Sequence, residues 1–188
     1  MTAIIRDGRP EDAEVVEFVH FASREAAYRH RVPDWPVDVL SRRERVEGWR
    51  EWLKDPAVTI LVVERDEGIV GFCTLRASQD ADADPSEVAE IPTLYIRPDM
   101  WRRGYGLALC REACRRARAD GYRWLTLWVV DFNTEARRFY AALGFEEDGA
   151  RKIDESYTTE PLETCRFRLS LAAGLRKSGR EEERGKAG

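Results

Sequence analysis

Gly104 and Gly106 stand between an apolar stretch, Leu94-Tyr95-Ile96, and an amphipathic helical pattern running from Leu107 to about Ala119. The turn between them reads Trp101-Arg102-Arg103-Gly104-Tyr105-Gly106. A strand that feeds a glycine turn into a helix start is a cradle for phosphate. Glycine lets the backbone approach closely, and the first N–H groups of the helix have no intrahelical acceptor and point at the anion. Taken alone, a plain strand-to-helix turn explains the same glycines. A dinucleotide site fits less well, because Gly-x-Gly-x-x-Gly would require glycine at Leu109. Further on, Asn133 and Tyr140 are seven residues apart, two helical turns on one face.

These residues need a frame, and the chain offers one. Thr2 to Arg6 reads as an edge strand, and Pro10 with Glu11 and Asp12 as the start of a helix reaching about Tyr28. Arg31 to Val37, with two prolines and Trp35, reads as a loop, and Val39 to Leu53 as a second helix. Val58 to Glu64 and Ile69 to Arg76 form strands joined by the turn Arg65-Asp66-Glu67-Gly68. Gln79 to Pro85 is an acidic loop, and Pro98 ends the strand Leu94–Ile96. Trp124 to Val130, Phe145 to Ala150 and Leu162 to Leu171 complete the strands. From Ala172 onward the sequence is glycine and charge, so the reading is one domain over 1–172 and a disordered tail over 173–188.

The glycine turn together with the run Asn133-x-x-Ala136-x-x-Phe139-Tyr140-x-x-x-Gly144-Phe145 resembles the GCN5-related N-acetyltransferase (GNAT) superfamily. The element order agrees over roughly residues 2–171, and the motifs are specific from Glu90 to Phe145. The resemblance implies an α/β fold (α+β) with a central mixed, mostly antiparallel sheet, a splayed parallel pair of strands and flanking helices. It implies acetyl-CoA as co-substrate, no metal, and transfer of an acetyl group to a primary amine by direct attack in a ternary complex. The backbone of Arg103, Gly104, Tyr105, Gly106, Leu107 and Ala108 would grip the pyrophosphate. Where the family carries Arg or Gln three before Gly104 this chain has Trp101, and Arg102 or Arg103 would supply the charge. Unpaired backbone groups of Leu94, Tyr95 and Ile96 would meet the pantetheine arm and the thioester oxygen. Tyr140 corresponds to the family's proton donor to the departing thiolate, and Asn133 to a pantetheine contact or helix cap. Glu90, at the start of the splayed strand, is the candidate base, directly or through a water. A branch with glutamate five before the asparagine is not matched, since Trp128 stands there; Asp131 is the reserve candidate.

With 188 residues, 43% hydrophobic content and net charge −4, the chain suits one soluble, cytoplasmic domain without the basic excess of a nucleic-acid binder and without a membrane span. The four cysteines form no CxxC pair, Cys110 and Cys114 fall on an apolar helix face as small hydrophobes, and His20 and His30 lie apart from them, which argues against zinc. Trp35, Trp49 and Trp52 with their arginines could line an amine pocket or pack helices on the sheet. The acidic run Asp80, Asp82, Asp84, Glu87 and Glu90 could draw a cationic amine or stay solvated. The expected partner is a small-molecule or peptide amine; a homodimer stays open. Two other classes remain, a GNAT-like acyl-CoA-binding or regulatory protein without transfer, and a nucleotide-binding α/β module.

Overall fold

The computed structural model describes residues 3–32, 40–154, 161–172 and 175. Strand β1 (Ile4–Asp7) leads through a short turn at Pro10–Asp12 into helix α1 (Ala13–Tyr28), and helix α2 (Arg42–Trp52) follows. Ser41 starts α2 by accepting from the Glu44 N–H while the Glu44 carboxylate takes the Ser41 N–H, a reciprocal cap that places the start three residues after the expected Val39. Then come β2 (Thr59–Arg65), β3 (Gly68–Ala77), β4 (Val88–Glu90), β5 (Leu94–Ile96), α3 (Tyr105–Ala119), β6 (Trp124–Val130), α4 (Thr134–Leu143), β7 (Glu146–Asp154) and β8 (Leu162–Ser170). The hairpin at Arg65–Gly68 forms as its composition indicates, with Gly68 at φ 103°, where a side chain would be strained.

The strands form one sheet in the order β1-β2-β3-β4-β6-β8-β7, with β5 also on β3. All pairings are antiparallel except β4 with β6. The mixed, mostly antiparallel sheet expected from the sequence is therefore present. Period-two alternation divides the side chains between two cores. Leu61, Val63, Cys73, Leu75, Leu125, Leu127, Val129, Phe167 and Leu169 face α3 and α4. Ile60, Val62 and Phe72 face α1 and α2, with Trp49 buried and Trp52 against them. Both of these tryptophans pack helices on the sheet; Trp35 lies outside the described residues. All four cysteines are buried thiols, and desolvation pushes the pKa of each above the ordinary thiol value. Leu175 packs on the α3–α4 side of the sheet, and the rest of the tail expected over 173–188 lies outside the described residues.

Candidate active site

The sheet opens between β5 and β6. Strand β4 pairs on one side with β3 and on the other with β6, and the last β4–β6 link is the Ile91 N–H to the Thr126 carbonyl at 2.9 Å. Arg76 faces Glu90 but Cys73 faces Leu94, so the chain carries one extra residue across Ile91–Thr93. Pro92 sits in that irregular stretch, and the hydroxyls of Thr74 and Thr93 meet there at 2.8 Å. Past it, β5 stays on β3 but leaves β6, whose residues Leu127 to Val130 pair only with β8. The bonds Arg97 N–H to Val70 and Thr74 N–H to Thr93 set the phase of the β3–β5 ladder. By alternation the Tyr95 backbone faces β3, and the N–H groups of Leu94 and Ile96 face the gap. The Ile96 carbonyl already has partners, the Ser23 hydroxyl at 2.9 Å and the Trp101 indole N–H at 2.6 Å. Of the three residues expected to offer backbone to a ligand, Leu94 and the Ile96 N–H can do so; Tyr95 and the Ile96 carbonyl are engaged.

One end of the gap meets the glycine turn. Gly104 caps α3 at φ 88°, and the Ala108 N–H returns to the Gly104 carbonyl at 3.0 Å. Ala108 is therefore engaged inside the helix, and the N–H groups left without an intrahelical acceptor are those of Tyr105, Gly106 and Leu107. A Cβ on Gly106 would lie 3.3 Å from the Phe139 ring and 3.8 Å from Leu94, so this glycine lets α3, α4 and β5 converge. Tyr105 is fixed from β2, where Arg65 donates to its hydroxyl at 2.6 Å. Arg102 and Arg103 are exposed beside the turn, and Arg102 has φ 61°. Trp101, the residue that departs from the family pattern, ties the turn to β5 through its indole.

The other wall is α4. The Asn133 side-chain carbonyl accepts from the Ala136 N–H at 3.1 Å, and its amide donates to the Tyr28 hydroxyl at 3.3 Å. Both the cap and a tie to the end of α1 are thus present; the tie joins residues too far apart in the chain to be read from local spacing. Seven residues on, Tyr140 is 8% exposed among Phe139, Phe145 and Phe167, with ring centroids 5.0, 5.6 and 6.3 Å away. Burial holds its phenol proton well above the ordinary range, and nearby Cys110, Cys73, Tyr95 and Tyr28 act in the same direction.

Glu90 is 6% exposed on the opposite face of the sheet from Tyr140. Its carboxylate accepts the Gln79 N–H at 3.2 Å and lies 3.7 Å from an Arg76 nitrogen. Asp131 is held by Arg137 and Arg151. The acidic run is largely occupied from within. Asp80 accepts the Trp128 indole N–H at 3.0 Å, and Arg166 joins Asp80, Asp82 and Asp148 at 3.2, 2.7 and 2.8 Å. Asp84 accepts from Ser86. Attraction of a cationic amine by this run is therefore weaker than its composition suggests, because Arg166 and Lys152 stand among the carboxylates.

A family model described as acetyltransferase (GNAT) matches residues 24–145. An N-acetyltransferase of Methanocaldococcus jannaschii, itself uncharacterised, is 35% identical over 104 residues, 53% of this chain and 46% of that protein. A mycothiol acetyltransferase of Sanguibacter keddieii is 36% identical over 89 residues, 47% of this chain and 28% of that protein. The chain thus spans about half or less of these relatives. Among solved structures, an N-acetyltransferase of Staphylococcus aureus superposes with TM-score 0.70 at 19% identity, covering 91% of this chain and 99% of that one. An acetyltransferase of Salmonella typhimurium, solved with acetyl-CoA, gives 0.68 at 18% identity, covering 91% and 95%. Among the described residues no helix is long and apolar enough to cross a membrane.

Proposed function

The chain belongs to the acetyltransferase (GNAT) family, and we propose that it is an acetyl-CoA-dependent N-acetyltransferase that transfers an acetyl group to a primary amine by direct attack in a ternary complex. The observation that carries this reading is the opening of the sheet after the Ile91–Thr126 bond, directly beside the first N–H groups of α3, which have no intrahelical acceptor. Acetyl-CoA would supply the activated thioester. The Tyr105, Gly106 and Leu107 N–H groups would hold its pyrophosphate, with the helix dipole and Arg102 and Arg103 adding positive potential. The Leu94 and Ile96 N–H groups would bind the pantetheine arm and polarise the thioester carbonyl, satisfying backbone groups that the sheet leaves open. Asn133 would fix the start of α4 so that Tyr140 stands toward the sulfur.

The Tyr140 phenol stays protonated at working pH and so would be available to give its proton to the departing thiolate, while burial makes it a weaker acid than a free phenol. Glu90 lies on the other face, so the amine and the thioester would approach the opening from opposite sides. Its burial and its contacts with Gln79 and Arg76 favour proton removal through a water over direct contact. Thermal-shift titration with acetyl-CoA, NAD and ATP, followed by thiol release against a panel of amines, tests the reading. Stabilisation by acetyl-CoA alone with amine-dependent thiol release is expected. Stabilisation without any thiol release would favour an acyl-CoA-binding protein that does not transfer, and stabilisation by NAD or ATP instead would reject the reading.

A further inference from the structure

Past the Ile91–Thr126 bond β5 and β6 share no ladder, so the sheet itself does not set how far apart their open ends lie. On the face opposite α3 and α4, helix α1 reaches both. The Ser23 hydroxyl donates to the Ile96 carbonyl of β5 at 2.9 Å. Further along the helix, the Tyr28 hydroxyl accepts from the Asn133 side-chain amide at 3.3 Å, just beyond β6. Arg31 donates to the Phe132 carbonyl at 3.0 Å, and Tyr28 and Val32 pack with Val130, the last residue of β6. From Ser23 to Tyr28 the helix rises about 7.5 Å. That exceeds the spacing of about 4.8 Å between paired strands, so this stretch of α1 is long enough to step over a missing rung.

Both anchors are buried, Ser23 3% and Tyr28 5% exposed, and the Tyr28 ring meets Phe132 edge to face at 6.0 Å. Hydrogen bonds in such places keep their geometry, because breaking one strands a polar group away from water. The groups they hold belong to the site. Ile96 carries one of the two N–H groups that face the gap. Asn133 caps α4, the helix that carries Tyr140. On the other face Gly106, Phe139 and Leu94 converge. The opening therefore has α1 across one face and α3 with α4 along the other.

We propose that the end of α1 is a strap that sets the width of the opening for the pantetheine arm, with Ser23 and Tyr28 as positioning residues at its two anchors. This rests on the acetyl-transfer reading for the identity of the ligand. Releasing either anchor lets the open ends of β5 and β6 part, and the Leu94 and Ile96 N–H groups then lose their alignment with the arm. A strap holds only while both ends are tied, so once one anchor is cut the other no longer contributes.

The test measures acetyl-CoA affinity by calorimetric titration of the full chain, in wild type, Ser23→Ala, Tyr28→Phe and the double variant. Each single substitution should raise Kd by about three- to tenfold, the span of one net hydrogen bond. The double variant should bind no more weakly than the weaker single one. Effects at two sites without shared partners otherwise multiply in Kd. A double variant at the product of the two factors therefore overturns the strap, and so does an unchanged Kd in either single variant. Arg31→Gln, at an exposed residue beside Tyr28, cuts the same end should Tyr28→Phe not fold. Amide hydrogen exchange gives a second reading that needs no ligand. Ser23→Ala should speed exchange of the Ala136 N–H, which rests on Asn133 across the opening; a wild-type rate there overturns the proposal. Should the wild type fail to bind acetyl-CoA, the transfer reading fails on its own, and the exchange measurement decides the strap.

Discussion

Replacing Tyr140 by Phe removes one oxygen atom and leaves the ring that packs against Phe139, Phe145 and Phe167. Losing a hydrogen-bonded hydroxyl from a buried site costs about 1 kcal/mol. Here no described group hydrogen-bonds the phenol, so Tm should stay within ~2 °C of wild type, the scale on which a few tenths of a kcal/mol register in a chain of this size. Turnover should behave differently. A general acid contributes about 10²- to 10⁴-fold, which at 1.36 kcal/mol per decade is about 2.7–5.4 kcal/mol of barrier. Saturating acetyl-CoA with a single amine, read by thiol release, would therefore show a loss of at least ~100-fold with acetyl-CoA stabilisation unchanged. The phenol's raised pKa adds a pH signature. The folded state resists ionisation above about pH 10 while the unfolded chain ionises, so the stability this group contributes is present below that pH and lost above it. The phenylalanine variant should lose less stability in alkali than wild type. Wild-type turnover in Tyr140→Phe would refute the proton-donor role, and a collapse of Tm together with rate would refute the packing argument.

Gly106→Val should abolish stabilisation by acetyl-CoA in a thermal-shift titration, because the new side chain meets Phe139 and Leu94 and screens the first amides of α3. Glu90→Gln should lower kcat/KM with one amine by about a hundredfold or more, while acetyl-CoA binding persists. His20 sits among Trp49, Phe72 and Tyr95, and burial, then Arg24 and Arg45, lower its pKa from 6.5 to about 3. The unfolded chain takes up this proton first, so stability should decline as pH falls from about 6.5 toward about 3, and urea melts of His20→Gln should show a flatter decline. Trp101→Phe, which removes one of two donors on the Ile96 carbonyl, should raise KM for acetyl-CoA with little change in kcat.

What could be read in advance was local. The glycine turn into α3, the cap at Asn133 and the two-turn step to Tyr140 follow from short-range rules, and the helix and strand limits around them fell within a few residues. What could not be read depends on residues far apart in the chain. Nothing in Asp80, Asp82 and Asp148 as a string indicates that all three converge on Arg166, and composition alone made that loop look like free negative charge. The tie between Tyr28 and Asn133 joins residues 105 positions apart. The extra residue at Ile91–Thr93, which divides the splayed strand in two, is visible only once register with β3 is known. Trp101 reads as a lost arginine in the motif; in the fold it is a brace on β5.

The opening beside β5 also places a sheet edge inside a sheet. Exposed edges invite pairing with other chains, and proteins blunt them with charge, proline or cover. This one is guarded by shape. Because β4 and β6 remain joined up to Thr126, the cleft narrows to nothing, and a strand from another molecule cannot lie along β5 without meeting β6. The same geometry keeps a strand of another copy from adding to the sheet along β5.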